Sequence, residues 1–434
     1  RATDTSNNVT TSAMVTVRKG TNRDINGDGY SDLVVPEYGQ GLVYIFHSSG
    51  TAGITTTSAQ FANRIIIGSA ADQFGKTVTM GDINGDGFAD VVVGAPSYNG
   101  SRGRIYIFHS AGAAGIATAA VTAGGAGANS FRTGGLPSEK FGFSLAVGNI
   151  NGGVADDIAV GAPGFDFING NGTKPNWGRI YAYYGSGTGL TATTHTLTNT
   201  TGDAPVAAGV PGGAAQLGYT VAVADVSGDG FADVIGGAPY FIQVGNPNVN
   251  RQGRIIALFS AGAGGMGNVT LGAAHRSITG LNAADGQGIG LTLGVKDLNL
   301  DGMADIVIAT VQLWVAPFTP NSVLVFLEGG VGQRDTTTAD VTMVAGAIPA
   351  LGITTDQNNG QGIPLSLSDI NGDGRSDVIV GGSNEAVRIF HSVGGATPIT
   401  NDPTTPSGLI LGSGLTGGIW GAALNSNEFG TAIY

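Results

Sequence analysis

One nine-residue pattern recurs along this chain and limits what it can become. Its cleanest copy reads Asp82-Ile83-Asn84-Gly85-Asp86-Gly87-Phe88-Ala89-Asp90 and runs straight into the apolar stretch Val91-Val92-Val93-Gly94-Ala95-Pro96. Oxygen-bearing side chains stand at positions one, three, five and nine, and the glycine at position six lets the backbone turn sharply. Alternating carboxylate and amide oxygens on a tight loop suit a hard cation. Calcium comes before magnesium, which demands stricter octahedral geometry and gives up its waters reluctantly.

The loop opens like a helix–loop–helix calcium site, but residue twelve is Val93, where such a site needs a bidentate Glu. The β-branched run after it predicts a strand, so the loop is expected inside a β-hairpin. It also repeats. The side-chain donors Asp82, Asn84, Asp86 and Asp90 recur as Asp24, Asn26, Asp28 and Asp32, and as Asp225, Ser227, Asp229 and Asp233. Two further copies hold Asp297, Asn299, Asp301 and Asp305, then Asp369, Asn371, Asp373 and Asp377. The position-seven carbonyls of Tyr30, Phe88, Phe231, Met303 and Arg375 complete five candidate Ca²⁺ sites. A sixth copy is damaged, reading Asn149, Asn151, Gly153 and Asp157; it is expected to be empty or weak, held by Asp156, Asp157 and hydrogen bonds. The copies start at 24, 82, 149, 225, 297 and 369, a regular period of the kind that marks a repeat architecture.

More than the loop repeats. A strand-like lead-in precedes it in Phe74-Gly75-Lys76-Thr77-Val78, Phe141-Gly142-Phe143-Ser144-Leu145 and Leu217-Gly218-Tyr219-Thr220-Val221. Gly94-Ala95-Pro96, Gly161-Ala162-Pro163 and Gly237-Ala238-Pro239 follow it, and then a third strand such as Arg104-Ile105-Tyr106-Ile107-Phe108. A more variable fourth strand, for example Arg64-Ile65-Ile66-Ile67, completes each unit. Phe-Gly, the Asp-rich loop and Gly-Ala-Pro together resemble the FG-GAP repeat, the unit of the β-propeller at the head of integrin α chains. The resemblance covers residues 21–434. It is specific in repeats two and four and in the frame of repeat three, and worn elsewhere: repeat one has Pro36-Glu37-Tyr38 in place of Gly-Ala-Pro. It implies an all-β propeller of four-stranded antiparallel blades.

Counting gives six blades, although integrin heads have seven. The first repeat enters at its loop without a lead-in, and the chain ends on the lead-in Glu428-Phe429-Gly430-Thr431-Ala432-Ile433-Tyr434. The C-terminal strand is therefore expected to join the first blade and close the ring, leaving no open sheet edge. Residues 1–20 lie outside the repeat. Met14-Val15-Thr16-Val17 reads either as a linker or as the last strand of a preceding immunoglobulin-like domain.

Charge is consistent with the loops. The net charge is −12, and fifteen of the 31 acidic residues lie in the five intact loops, so bound cations would neutralise most of the acidity. No basic stripe offers a surface for nucleic acid, and no apolar run is long enough to span a membrane. There is no cysteine, which fits several compartments. Calcium modules that bind at about 10⁻⁴–10⁻³ M work only outside the cytosol, so secretion or the cell surface is expected. The chain starts without Met or a signal peptide, as a processed or excised segment would.

In a propeller, successive connections alternate between the two faces, so the link between strands two and three lies opposite the Asp loops. That link is long in repeats three to five and holds Phe165, Phe167, Trp177, Tyr240, Phe241, Trp314 and Phe318. These aromatics either bind a ligand by stacking or fold inward to cap the channel. His47, His109 and His391 each end a third strand on different blades and are read as structural. No nucleophile elbow, zinc motif or phosphate loop appears, and Glu37, Glu139, Lys140 and Arg251 are scattered, so the chain is read as non-enzymatic. The expected function is adhesion or recognition of a surface glycan or protein. A passive spacer within a larger surface protein and a polysaccharide-acting enzyme are the alternatives.

Overall fold

The repeating hairpins fold into a succession of antiparallel sheets in a computed structural model of the chain. Described are residues 2–3, 9–10, 23–50, 53–55, 58–117, 119–122, 124–169, 172–191, 194–198, 215–241, 252–266, 269–270, 276–280, 288–310, 322–327, 332–335, 338–344, 365–369, 373–382, 386–393 and 408–411. Sheet two shows the plan: Thr77–Gly81, Asp90–Ala95, Arg104–Phe108 and Ser130–Thr133 lie side by side in chain order, each antiparallel to the last. Sheets three to six repeat it, with second strands Asp157–Ala162, Asp233–Ala238, Asp305–Ala309 and Asp377–Gly382. Sheet one begins at its second strand, Leu33–Glu37, followed by Leu42–Phe46 and Arg64–Ile67. Four-stranded antiparallel sheets of this kind are consistent with propeller blades. The expected closing strand at 428–434 lies outside the described residues, as does Met14–Val17; near the N-terminus Ala2–Thr3 pairs with Val9–Thr10.

The second strands of sheets two to four are buried throughout, because each has a neighbour in its own sheet on both sides and a further sheet on each face, whereas Leu33–Glu37 of sheet one is mostly half-buried and ends exposed. Asp90–Ala95, Asp157–Ala162 and Asp233–Ala238 have no exposed residue. Five apolar cores result, one between each pair of successive sheets from one to six. Val43, Ile45 and Phe74 meet Val91, Val93 and Tyr106 between sheets one and two, and Leu291, Val307 and Val325 meet Val378 and Val380 between five and six.

The Phe-Gly and Gly-Ala-Pro signatures mark where successive sheets touch. Phe74 and Phe141 are buried in these cores, edge-on to Tyr106 and Tyr181 at centroid distances of 5.4 and 5.2 Å. The glycine after each phenylalanine has φ +86° or +84° and presents its carbonyl to the sheet before it. There it accepts a side-chain hydroxyl: Thr77 Oγ1 donates to the Gly142 carbonyl (3.1 Å), Ser144 to Gly218 (2.8 Å) and Thr220 to Gly290 (3.0 Å). The glycine of Gly-Ala-Pro lies under that same carbonyl, so a Cβ on Gly94, Gly161 or Gly237 would collide with it.

The link between strands three and four crosses to the preceding sheet and adds a parallel outer strand there. Ala119–Ala120 pairs with Arg64–Ile67, Val269–Thr270 with Thr194–Thr198, and Gly332–Asp335 with Arg276–Thr279. The edge that each of these sheets would otherwise expose is thereby covered.

Gly161→Val tests the close approach. It is expected to lower stability by about 1–3 kcal/mol through overpacking. Gly187→Ala, which points into open space, should leave the denaturant midpoint unchanged.

Candidate metal centres

In sheets two to six the Asp-rich loop joins the first and second strands at one end of the sheet, and in sheet one it leads into the second strand. Its backbone is wound around the position-one carboxylate. In all five intact loops, Oδ2 of that Asp accepts the position-six glycine N–H: Gly29 to Asp24 (2.7 Å), Gly87 to Asp82 (2.7 Å), Gly230 to Asp225 (2.7 Å), Gly302 to Asp297 (3.0 Å) and Gly374 to Asp369 (2.8 Å). The position-five carboxylate accepts the position-seven N–H in the same five, as in Tyr30 to Asp28 and Phe231 to Asp229, both 2.9 Å, and likewise Phe88 to Asp86, Met303 to Asp301 and Arg375 to Asp373. Asn26, Asn84 and Asn299 accept the position-five N–H, and their amides reach the position-five carboxylates at 3.4, 2.9 and 2.9 Å. Ser227 Oγ lies 3.3 Å from Asp225 Oδ1. Positions one, three and five thus gather their oxygens at one exposed loop; Asn371 lies outside the described residues.

Position nine behaves differently. Its carboxylate is buried, and in loops one, two and four both oxygens accept backbone N–H groups. Oδ2 accepts from position two: Ile25 to Asp32 (2.8 Å), Ile83 to Asp90 (3.1 Å), Val226 to Asp233 (3.1 Å) and Leu298 to Asp305 (2.8 Å). Oδ1 accepts from just beyond the third strand: Ser48 to Asp32, Ser110 to Asp90, Ser260 to Asp233 and Ser392 to Asp377, at 2.8–2.9 Å. The carboxylate therefore latches the loop to strand three. The damaged loop keeps it, with Ile150 and Asn151 donating to Asp157 Oδ2 (2.8 and 3.0 Å) and Gly185 to Oδ1 (2.9 Å). A loop that has lost its acids at one and five still needs its acid at nine, so folding is that residue's first task.

The three histidines end at this latch. His47, His109 and His391 bring Nδ1 to Asp32, Asp90 and Asp377 at 3.2, 2.8 and 3.1 Å. The hydrogen bond to Asp90 raises the His109 pKa above its ordinary value against the opposing effect of burial. The corresponding residues Tyr184, Phe259 and Leu327 offer no cation to Asp157, Asp233 and Asp305. Burial pushes those carboxyls up, to about 6, about 6 and about 7, with backbone N–H donors pulling the other way. Asp82 is also raised by burial.

The loops also bond to one another. The position-eight N–H donates to the position-one carbonyl of the loop before it: Ala89 to Asp24 (2.8 Å), Asp156 to Asp82 (2.7 Å), Ala232 to Asn149 (3.0 Å) and Ala304 to Asp225 (2.7 Å). The position-seven side chain lies on the preceding position-four glycine, Phe88 on Gly27, Phe231 on Gly152 and Met303 on Gly228, where a Cβ would collide or crowd.

The residue types and their exposure fit a hard cation held by oxygens at one, three and five and a carbonyl at seven. Among the described residues no group of three or more Asp, Glu or His stands ready to hold a metal. The latch explains this: with position nine engaged, two acids and an amide or hydroxyl remain per loop.

Among the described residues, most aromatics of the opposite face fold inward. Phe165, Trp177 and Phe241 are 6, 5 and 7 % exposed, so as exposed ligand platforms they are ruled out. The physical reason is an arginine at the start of strand three. The Arg179 guanidinium lies 3.5 Å from the Phe165 ring centroid and Arg254 lies 5.0 Å from that of Phe241, as Arg104 lies 3.8 Å from Tyr98. Tyr240 is half-buried, edge-on to Tyr219 at 6.4 Å. The Phe167 side chain and residues Trp314 and Phe318 lie outside the described residues. Glu139 is fully buried, accepting from the Leu136 N–H (2.8 Å) and the Tyr181 hydroxyl, which makes it a structural acid.

Asp157→Ala is expected to cost about 3 kcal/mol, because it strands one buried and two half-buried N–H donors. Asn149→Ala, at an exposed amide, should cost under about 1 kcal/mol. Equal urea midpoints for the two variants would refute the latch.

Three stretches of the chain, 19–46, 74–108 and 217–258, match the family described as FG-GAP repeat. These are repeats one, two and four, each with an intact loop; the damaged third repeat is not among them. The chain is 30 % identical over 195 residues to the phosphatidylinositol-glycan-specific phospholipase D of Bos taurus, covering 44 % of this chain and 21 % of that protein. It is 33 % identical over 126 residues to integrin alpha-7 of Homo sapiens (27 % of this chain, 9 % of the integrin). For integrin alpha-E of Mus musculus the figure is 32 % over 187 residues (41 % and 14 %). The matched regions thus span at most about a fifth of these relatives.

Proposed function

Because this chain carries FG-GAP repeats on a frame shared with integrin alpha chains, we propose that it is a calcium-binding β-propeller serving outside the cell in adhesion or ligand recognition. The observation that carries the calcium reading is the recurrence of one loop geometry, the position-six N–H on the position-one carboxylate in all five intact loops, with side-chain oxygens of positions one, three and five brought together on an exposed turn in the four whose position three is described. Asp24, Asn26 and Asp28, with the Tyr30 carbonyl, would hold one cation, and the equivalent residues the other four. Asp32 and its counterparts would support the site from behind while keeping the loop on strand three. A bound cation stabilises the fold by about 2.7 kcal/mol per site when present at 100 times its dissociation constant. Affinities typical of extracellular modules favour secretion or the cell surface.

The propeller in this proposal has six blades. Tyr30 occupies position seven of the first loop, where its counterparts lie on the preceding loop's position-four glycine, and it is 42 % exposed. Gly372 is position four of the last loop. Tyr30 on Gly372 would join sheet six to sheet one, and residues 428–434 would supply the inner strand that sheet one lacks. Deleting 428–434 is then expected to lower the melting temperature by a few degrees, since the unfolding entropy grows with chain length and about 1 kcal/mol moves it by only about 1 °C in a domain this long. An unchanged melting temperature would argue for an open array.

The spacer reading is favoured by one observation, the burial of Phe165, Trp177 and Phe241. The activity named for the phospholipase D relatives belongs to proteins of which this chain matches about a fifth, and we read the present chain as non-catalytic.

Two measurements test the proposal. Chelation should lower the melting temperature, and calorimetric titration should count about five calcium equivalents, one fewer in Asp82→Ala/Asp86→Ala; no calcium uptake would defeat the metal reading. Folded, calcium-loaded protein on an array of glycans and matrix proteins should give a specific hit. A blank array would leave the spacer.

A further inference from the structure

Four of the loops carry Asn-Gly at positions three and four; Asn371-Gly372 lies outside the described residues, and the pairs of loops one, two and three share the same local turn with different surroundings. Asn26 Oδ1 accepts the Asp28 N–H (3.1 Å), Asn84 the Asp86 N–H (3.1 Å), and Asn151 the Gly153 N–H (2.8 Å). The following glycine has φ of +74°, +71° and +71° in the three loops. Each turn folds the asparagine side chain back over the next peptide unit, whose nitrogen can attack the amide carbon.

The two intact loops guard that nitrogen and the third does not. The Gly27 N–H is held by Asp24 Oδ1 at 2.6 Å, and the Gly85 N–H is held by Asp82. The departing amide is also tied down there, Asn26 Nδ2 and Asn84 Nδ2 reaching the carboxylates of Asp28 and Asp86. In loop three both acids are missing. Position one is Asn149, whose amide turns instead to the Gly153 carbonyl (2.7 Å), and position five is Gly153, which has no side chain. Among the described residues the Gly152 N–H has no acceptor, and Gly152 is exposed to water. Electrostatics favour the same outcome, since two carboxylates beside the nitrogen oppose its deprotonation and loop three has neither at these positions.

We infer that Asn151 is a hydrolytic modification site, deamidating while the corresponding Asn26 and Asn84 are protected. The Gly152 nitrogen gives its proton to solvent and bonds to Asn151 Cγ; the Cγ–Nδ2 bond breaks and ammonia leaves. Water then opens the cyclic imide to aspartate or isoaspartate, so one water enters and one ammonia departs. The product puts a carboxylate at position three of the damaged loop. In the isoaspartyl form it also adds a carbon to the backbone of a loop whose Asn149 carbonyl accepts the Ala232 N–H from sheet four.

The test is peptide mapping by mass spectrometry of the folded protein aged in mildly alkaline buffer, with calcium and with chelator. Conversion at Asn151 is expected to outpace Asn26 and Asn84 by about tenfold or more in both buffers, the scale set by hydrogen bonds to charged groups. Asn149→Asp, verified as folded by circular dichroism, restores an acceptor for the Gly152 N–H and should slow conversion at Asn151 towards the rates of the other two. Equal rates at the three sites, a difference that vanishes in chelator, or no slowing in Asn149→Asp would each overturn the inference.

Discussion

The structure depends on a buried carboxylate that accepts backbone hydrogen bonds from two directions. A hairpin loop of nine residues, rich in glycine and acid, has little apolar surface of its own and would pay a large entropy cost to hold one shape. The position-nine Asp resolves this. It binds the N–H at the start of the loop and another beyond strand three, so strands two and three and the loop between one and two share one anchor. Leaving those buried donors unpaired would cost far more than the bonds gain on balance, which is why the acid persists in a loop that has lost its others. The apolar residue at position two follows from the same geometry: Ile25, Ile83, Ile150, Val226 and Leu298 are fully buried beneath the latch.

Around that anchor, the surroundings differ from sheet to sheet in a way that alters its electrostatics. Sheets one, two and six put an imidazole beside the carboxylate. Sheets three, four and five put Tyr184, Phe259 or Leu327 in the corresponding place, and there the acid is held well above the usual carboxylate range by burial. The same fold thus tolerates a polar or an apolar neighbour, provided the backbone donors remain.

Much of this was legible in the residues. The period, the four-stranded unit and the loop-to-strand transition at Asp90 all follow from spacing and residue type, whereas the contact that the recurring Phe-Gly and Gly-Ala-Pro motifs make between sheets does not. The dual use of oxygen ligands was not legible either, because a carboxylate that accepts N–H donors and one aimed at a cation are the same letter. The partner of each histidine was hidden by a separation of fourteen to nineteen residues. The residues left the aromatic loops open between a stacking surface and an inward fold for a specific reason: the signal that buries Phe165 and Phe241 is the arginine in Gly178-Arg179-Ile180 and Gly253-Arg254-Ile255, which reads as an ordinary strand opening. The crossing strands escaped notice because Ala119–Ala120 and Val269–Thr270 are only two residues long and pair with a different repeat.

Those crossing strands mean that a repeat seen in the sequence is not a detachable part. Cutting the chain between repeats three and four would remove Val269–Thr270 from the outer edge of Thr194–Thr198 and leave bare peptide groups on the fragment. Cutting between four and five would do the same to Arg276–Thr279. Gain or loss of a whole repeat in such a chain is therefore tolerated only where the neighbour's borrowed strand is replaced, which makes the strand exchange a brake on how freely arrays of this type lengthen or shorten.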